Sequence, residues 1–460
     1  MEEKTDKLRS QRMGTMPEGK LLFTMALPMI LSMLVQALYN IVDSVYVARV
    51  SEDCLSALSL AFPAQNIMIG LGTGTGVGVS TLVSRALGAG DRKSANRVAG
   101  NSFFLCLCCW AIMAIFGLFA AAGFIRSQTG VESIRSYGIS YLRIVTIGSL
   151  FVYFEICLER LLQSTGLSRL SMWTQMIGAV TNIILDPFFI FGWCGLPALG
   201  TVGAAIATVI GQGTGAAVGL FFHLRKNTEI RVRLSDCRPS GRIIGQVYRI
   251  GFPSILMVGI SAVTNYLMNI ILHGFTSTAV AVFGSYSKLR GFVFMPIFGI
   301  NNGIIPIIGF NFGAGNKKRI YRTARYGLLF ASAIGLAGFS AFELFPRTLL
   351  GFFSASENML SIGVPALRIG GIIFLVAGYC VAAESVCQAL DNSMASFITS
   401  IFRQVVALVP AAWLLARLGN VNYVWWAFPI AEVLSVLFNT LFLRKAFRDM
   451  ERKLSAREAV

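Results

Sequence analysis

The sequence predicts an all-α membrane protein, with twelve transmembrane helices in two parallel six-helix repeats around a central cavity. Three observations carry this. The chain of 460 residues is 55% hydrophobic and only 13% charged, too few charges for the surface of a water-soluble protein of this length. Apolar runs long enough to cross a bilayer, about 20 residues each, recur from end to end. The first half of the sequence also reappears in the second at one constant offset.

The runs number twelve, near 21–48, 58–84, 98–123, 136–157, 170–192, 202–224, 243–273, 278–309, 323–345, 361–386, 395–417 and 424–443. They are called spans 1 to 12 here. Residues 1–20 are polar and read as a flexible cytoplasmic tail. The run that follows is too long for the core of a secretory signal, so no cleaved leader is expected. With the N-terminus in the cytoplasm, 29 of the 39 Lys and Arg residues fall on that side and seven on the other. The remaining three, Lys288, Arg290 and Arg403, lie within spans. This asymmetry is what orients membrane proteins. The net charge of +17 thus sets topology and calls for no nucleic-acid partner. The expected location is the cell (inner) membrane, multi-pass, with both termini cytoplasmic.

Most of the nine cysteines lie inside apolar runs. Cys106-Leu-Cys108-Cys109 has metal-like spacing but no His or carboxylate beside it, so buried packing is expected, with no metal or other cofactor.

An offset of 225 residues superposes the halves. Pro28-Met-Ile30-Leu31 matches Pro253-Ser-Ile255-Leu256, and Ala37 and Asn40 match Ala262 and Asn265. Gly88-Ala-Gly90 matches Gly313-Ala-Gly315, Glu159 matches Glu384, and Gln163 matches Gln388. One offset held over such a length signals duplication. Six spans is an even number, so both repeats start on the same side and are parallel. The implied lobes are 21–224 and 243–443, joined by a basic linker over 225–242, with a cytoplasmic tail over 444–460. Both Gly-Ala-Gly segments lack the strand and Lys-Ser/Thr of a phosphate loop and read as tight turns. The glycines of span 2, Gly70 to Gly78, suit close helix packing or bending between states.

The residues with chemistry are few. In span 5, Asn182 and Asp186 are four apart and share a helix face. A carboxylate at the bilayer centre costs roughly 2.5–3.5 kcal/mol on insertion scales, so a retained one points to function. The structural alternative makes Asp186 a helix cap with Pro187 as the first helical residue. Asp43 in span 1 sits at similar depth in the outer half of the membrane, and its structural alternative is an ion pair with Arg49. Asn182 and Thr208 are the nearest polar groups. Two carboxylates close together in low dielectric cannot both stay charged cheaply, so the pair binds a proton or a small cation. At the 225 offset Asp43 falls on Met268, Asn182 on Ala407 and Asp186 on Ala411. The scaffold is repeated and the acids are not, which suggests a specialised site in the first lobe. Glu159 and Glu384 are repeated and read as structural. Glu155, Glu343 and Glu432 stand alone in apolar runs, and Lys288 and Arg290 in span 8 are similar outliers. His223 and His273 read as interfacial.

Several motifs resemble one family. These are Leu38-Tyr-Asn-Ile-Val-Asp43, Leu87-Gly-Ala-Gly-Asp91, Asn182-x-x-x-Asp186-Pro-x-Phe-Ile-Phe-Gly, and Gly203-Ala-Ala-Ile-Ala-Thr208. Together with the duplicated halves they are similar to the multidrug and toxic compound extrusion (MATE) transporters. The resemblance covers about residues 20–445 and is nearest to the DinF-like and MepA-like bacterial branch. It implies a cation-coupled antiporter, driven by H+ or Na+, that exports amphiphilic and often cationic compounds by alternating access. It also implies that Asp43, Asn182, Asp186 and Thr208 form the cation or proton site, with Gln36, Tyr39, Asn40 and Asn265 in the substrate cavity. Members of other branches carry an acid in span 7, and Gly259–Tyr266 has none. A monomer is expected, with small amphiphilic molecules and the bilayer as partners. The rivals are a flippase for a lipid-linked sugar, which would use Arg or Lys for the pyrophosphate, a channel or receptor, and a membrane enzyme. The last would need a nucleophile–base or metal cluster that two distant histidines do not supply.

Overall fold

The computed structural model describes residues 13–353 and 356–458, which are almost entirely helical. The part of the N-terminal tail before Met13 lies outside the described residues. Ten helices are long and apolar enough to cross a membrane, and two bent helix pairs bring the number of spans to twelve when each pair counts once. Spans 1 to 6 are Glu18–Val50, Glu52–Gly88, Arg92–Arg126, the pair Glu132–Ile147 and Ser149–Ser164, Ser168–Phe191, and Thr201–Lys226. Spans 7 to 12 are Gly241–His273, Ser277–Gly313, Lys317–Leu344, the pair Glu357–Gly371 and Phe374–Ala389, Ser393–Ala416, and Val421–Ala456. The protein is therefore an all-α, multi-pass membrane protein built from two six-span repeats. The stretch expected as a C-terminal tail largely continues the last helix, which runs to Glu458.

The duplication extends to the helix ends. Ser51 caps span 2 by accepting the Cys54 N–H at 3.1 Å, and Thr276 caps span 8 by accepting the Ala279 N–H at 3.1 Å. Asp91 caps span 3 through the Ser94 N–H at 2.9 Å, and Asn316 caps span 9 through the Arg319 N–H at 3.1 Å. These side chains satisfy amide donors that the first helical turn cannot. Hydrogen bonds from Ser94 hold the Asp91 carboxyl below its ordinary range. The Gly-Ala-Gly segments are tight turns, as expected: Gly90 and Gly315 take φ of 76° and 73°. The Asp91 N–H reaches the Ala86 carbonyl and the Asn316 N–H the Asn311 carbonyl, each at 2.9 Å. A left-handed glycine closing such a bond ends a helix with little steric cost.

Two departures from straight spans are invisible in hydropathy. Span 4 bends by 45° and span 10 by 48°. In span 4 the break falls at Gly148, where a Cβ would press on Val209 and come within 3.0 Å of the Ile144 carbonyl. Spans 3 and 11 carry π turns at Phe116–Ala120 and Phe402–Leu408.

The chain divides into two compact units, and the division falls inside helices. One unit contains Leu31–Ile255; the other contains Met16–Ile30 and the chain from Leu256 onward. Each unit thus holds most of one expected lobe plus the opening half of the other repeat's first span. Equivalent glycines secure these exchanged halves. In the first unit, Cβ atoms at Gly74 and Gly78 would strike span 7 at Ile255 and at the Val247 carbonyl. In the second, a Cβ at Gly299 would come within 2.9 Å of the Ile30 N, and one at Gly303 within 3.1 Å of Leu22. The opening of span 1 is held further by Glu18, whose carboxylate meets Arg319 at 3.5 Å and Arg322 at 3.9 Å. The span 2 glycines at 74 and 78 therefore serve backbone-close packing.

Candidate functional site

Span 5 runs unbroken from Ser168 to Phe191, with Pro187 inside it. Asp186 is thus an interior helical residue and not a cap. The loop after it folds back, with the Leu199 and Gly200 N–H groups bonding the Phe189 and Ile190 carbonyls at 3.0 and 3.2 Å. Span 6 returns directly against span 5. The approach is close because the facing residues are glycines: a Cβ at Gly178 would lie 3.0 Å from the Gly211 carbonyl, and one at Gly211 would lie 2.9 Å from the Gly178 carbonyl and 3.0 Å from Asn182 Cβ. Small residues of this kind let polar side chains meet across membrane helices.

Three of the polar residues singled out in the sequence meet there. Asn182 Nδ2 donates to Asp186 Oδ1 at 3.2 Å and approaches Thr208 Oγ1 at 3.5 Å. The Thr208 hydroxyl donates to the Ala204 carbonyl at 2.9 Å. Asp186 is fully buried, Asn182 is 2% exposed, and Asp43 and Thr208 are each 8% exposed. Asp186 lies within the electrostatic reach of Asp43. Neither forms an ion pair among the described residues. Arg49, the partner of the alternative reading, is exposed. Asp43 Oδ1, Asp186 Oδ2 and Asn182 Oδ1 are buried with no hydrogen-bond partner among the described residues. Buried oxygens are ordinarily satisfied. An unsatisfied set of carboxylate and amide oxygens beside the Thr208 hydroxyl fits a proton or a hard cation such as Na+.

Around this core, Tyr39 and Tyr141 lie within the electrostatic reach of both acids. Tyr141 accepts a hydrogen bond from Gln65 at 3.0 Å. Sequence reasoning missed Tyr141, because one tyrosine in an apolar run carries no pattern. Gln36 accepts from Gln175 at 3.3 Å. Asn40 is exposed and donates its amide to the Gln36 carbonyl at 2.9 Å. Glu155 has neighbours that the sequence did not reveal: it is 9% exposed and packs against Gly178 and Gly215, its Oε1 lying 3.1 Å from a Cβ placed at Gly178.

The second unit is built differently. Asn265 lines a cavity of about 260 Å³ together with Ser261, Ser287, Arg290, Arg403 and Glu432. Arg403 lies 3.4 Å from Glu432 and 3.9 Å from Glu384. Arg290 stands over the Tyr286 ring at 5.7 Å. Glu343, alone in sequence, pairs with Arg368 at 3.6 Å. Glu432 and Glu343 therefore do have partners, supplied by other spans where no local spacing could show them. Lys288 is exposed. Cys106, Cys109 and Cys157 are buried thiols, and no three His, Cys, Asp or Glu side chains gather as a metal site among the described residues.

A twelve-span duplicated bundle with unneutralised acids buried in one repeat defines a membrane transporter of the two-repeat type. The chain belongs to the MatE family, whose profile matches residues 28–188 and 253–414, the two repeats in turn. It is 27% identical over 420 residues to the multidrug export protein MepA of Staphylococcus saprophyticus, with 90% of each chain covered. Among solved structures it is similar to a MATE transporter crystallised in complex with MaL6, at 25% identity and a TM-score of 0.90, covering 96% of this chain and 99% of that one. It is also similar, at 25% identity and a TM-score of 0.89 over 96% of this chain and 98% of that one, to a MOP superfamily transporter of Pyrococcus furiosus for which a pocket of reversed polarity suggests a different function.

Proposed function

We propose that the protein exports amphiphilic, often cationic, compounds in exchange for H+ or Na+, by alternating access in the cell membrane with both termini in the cytoplasm. The observation that carries this reading is the buried Asp43–Asn182–Asp186–Thr208 group, with three oxygens lacking partners and no cation paired to either acid. Binding a proton or Na+ removes the repulsion between the acids and fills the vacant acceptors. Bound and free states then favour different packings of spans 1, 5 and 6, which is how ion binding does work on a helix bundle. Drug export is supported by the similarity to MepA. Asp43, Asn182, Asp186 and Thr208 hold the ion, and Gln36, Tyr39, Asn40 and Asn265 contact substrate. The protein acts as a monomer and needs no cofactor beyond its coupling ion.

The test is ethidium efflux from proteoliposomes of the purified protein, driven by an imposed H+ gradient or an imposed Na+ gradient. Efflux under one gradient, lost in Asp186→Asn, is the expected result. Absence of efflux under both, with folded protein, would refute drug antiport. A flippase for a lipid-linked sugar is the second reading. It is favoured by Arg290 and Arg403 beside the second-unit cavity and would then be tested with fluorescent lipid substrates. Against it, Arg403 is already engaged by two carboxylates.

A further inference from the structure

The basic linker is not a loose tether. Asn101 Oδ1 accepts the Ser240 N–H at 2.8 Å, and its amide donates to the Asp236 carbonyl at 3.2 Å and the Arg238 carbonyl at 3.3 Å. Asn96 Oδ1 accepts the Arg231 N–H at 3.0 Å. A Cβ at Gly100 would run into the Asp236 backbone, 2.8 Å from the Cys237 N. Span 3 therefore clamps the linker backbone in place, and its side chains stand at defined positions.

Between the start of span 3, the end of span 6 and this clamped linker lies a cavity of about 1010 Å³, lined in part by Arg92, Arg225, Arg231 and Arg233. All four arginines are exposed, and none makes an ion pair among the described residues. The cavity has a single acidic liner, Glu229, which is 8% exposed, against the four exposed arginines. Apolar side chains adjoin the cations. Leu220 and Leu224 line the same cavity and are 45% and 73% exposed, and Leu234 is 92% exposed. Because span 3 begins and span 6 ends here, the cavity sits at the membrane–water boundary, where lipid headgroups lie.

We propose that this cavity is a binding site for an anionic phospholipid. Its phosphate is held by the guanidinium groups of Arg92, Arg225, Arg231 and Arg233, with an acyl chain along Leu220 and Leu224. Planar guanidinium forks match phosphate oxygens in pairs, and basic pockets between spans at this depth suit anionic headgroups. A soluble phosphate would use the arginines but not the exposed leucines, which favours a lipid over a free anion.

The experiment uses the full-length protein in a neutral detergent. Thermal unfolding and native mass spectrometry are followed with phosphatidylglycerol, phosphatidylcholine or inorganic phosphate added. The expected result is a retained phosphatidylglycerol and a raised unfolding temperature, with neither effect from phosphatidylcholine or phosphate. The triple variant R225Q/R231Q/R233Q should bind phosphatidylglycerol roughly 100-fold more weakly, at about fivefold per arginine. A control losing equal charge elsewhere, K445Q/R448Q/R452Q, should bind as wild type does. Equal retention of both lipids, a full effect of phosphate alone, or equal loss in both triple variants would overturn the proposal. The comparison of additives on the wild type stands even if the arginine variant fails to fold.

Discussion

Two pairs of buried acids, one in each repeat, are treated in opposite ways. In the first, Asp43 and Asp186 lie in spans 1 and 5 with no cation beside them, and three oxygens of the Asp43–Asn182–Asp186 group have no hydrogen-bond partner. In the second, Glu384 and Glu432 share Arg403 at 3.9 and 3.4 Å, while spans 7 and 11 carry no acid at all. One scaffold thus holds two buried acids with no paired cation among the described residues and two others that share an arginine. A buried acid with a fixed guanidinium is a structural element, since its charge is always compensated. A buried acid without one is free to change state when a proton or ion arrives, which is what the proposed coupling requires.

That contrast can be broken or sharpened, beginning with the largest effect. Asp43→Asn and Asp186→Asn should each drop ion-driven efflux at least tenfold, to vesicle background, without lowering the unfolding temperature. Wild-type rates from both variants would end the assignment. Arg403→Met leaves two buried carboxylates uncompensated and should cost about 3–5 kcal/mol of stability, seen as early unfolding in detergent. Adding Glu384→Gln and Glu432→Gln should recover most of it, and an unchanged single variant would show that the second repeat does not depend on its own cation. Gly211→Val forces span 6 off span 5 at Asn182, for about 1–3 kcal/mol, and should raise the ion concentration needed for half-maximal efflux. The smallest change is expected from Thr208→Val, which removes one hydroxyl of the proposed site, worth about 1 kcal/mol. That corresponds to about fivefold weaker ion binding, read from the gradient needed to drive efflux.

Much of this was legible in the sequence. Asp43, Asn182, Asp186 and Thr208 stood out because polar groups in apolar runs are expensive and few, and helical spacing put Asn182 and Asp186 on one face. The glycine turns were visible through the 225-residue repeat. Tyr141, Glu155 and the partners of Glu343 and Glu432 were not, because each is defined by a residue on another span. The basic linker also read only as a topology signal until Asn96, Gly100 and Asn101 were seen to fix its backbone.

The sequence by itself therefore determined the span number, the duplication and the one-sided acids. Hydropathy, charge placement and spacing are local quantities, and a bilayer imposes its thickness on each run separately. Only the tertiary structure decided the 45° and 48° bends, the exchange of the opening halves of spans 1 and 7 between compact units, and which buried acid meets an arginine. Those depend on how closely two backbones approach, and glycines such as Gly74, Gly178 and Gly299 permit that approach without saying which helix will use it.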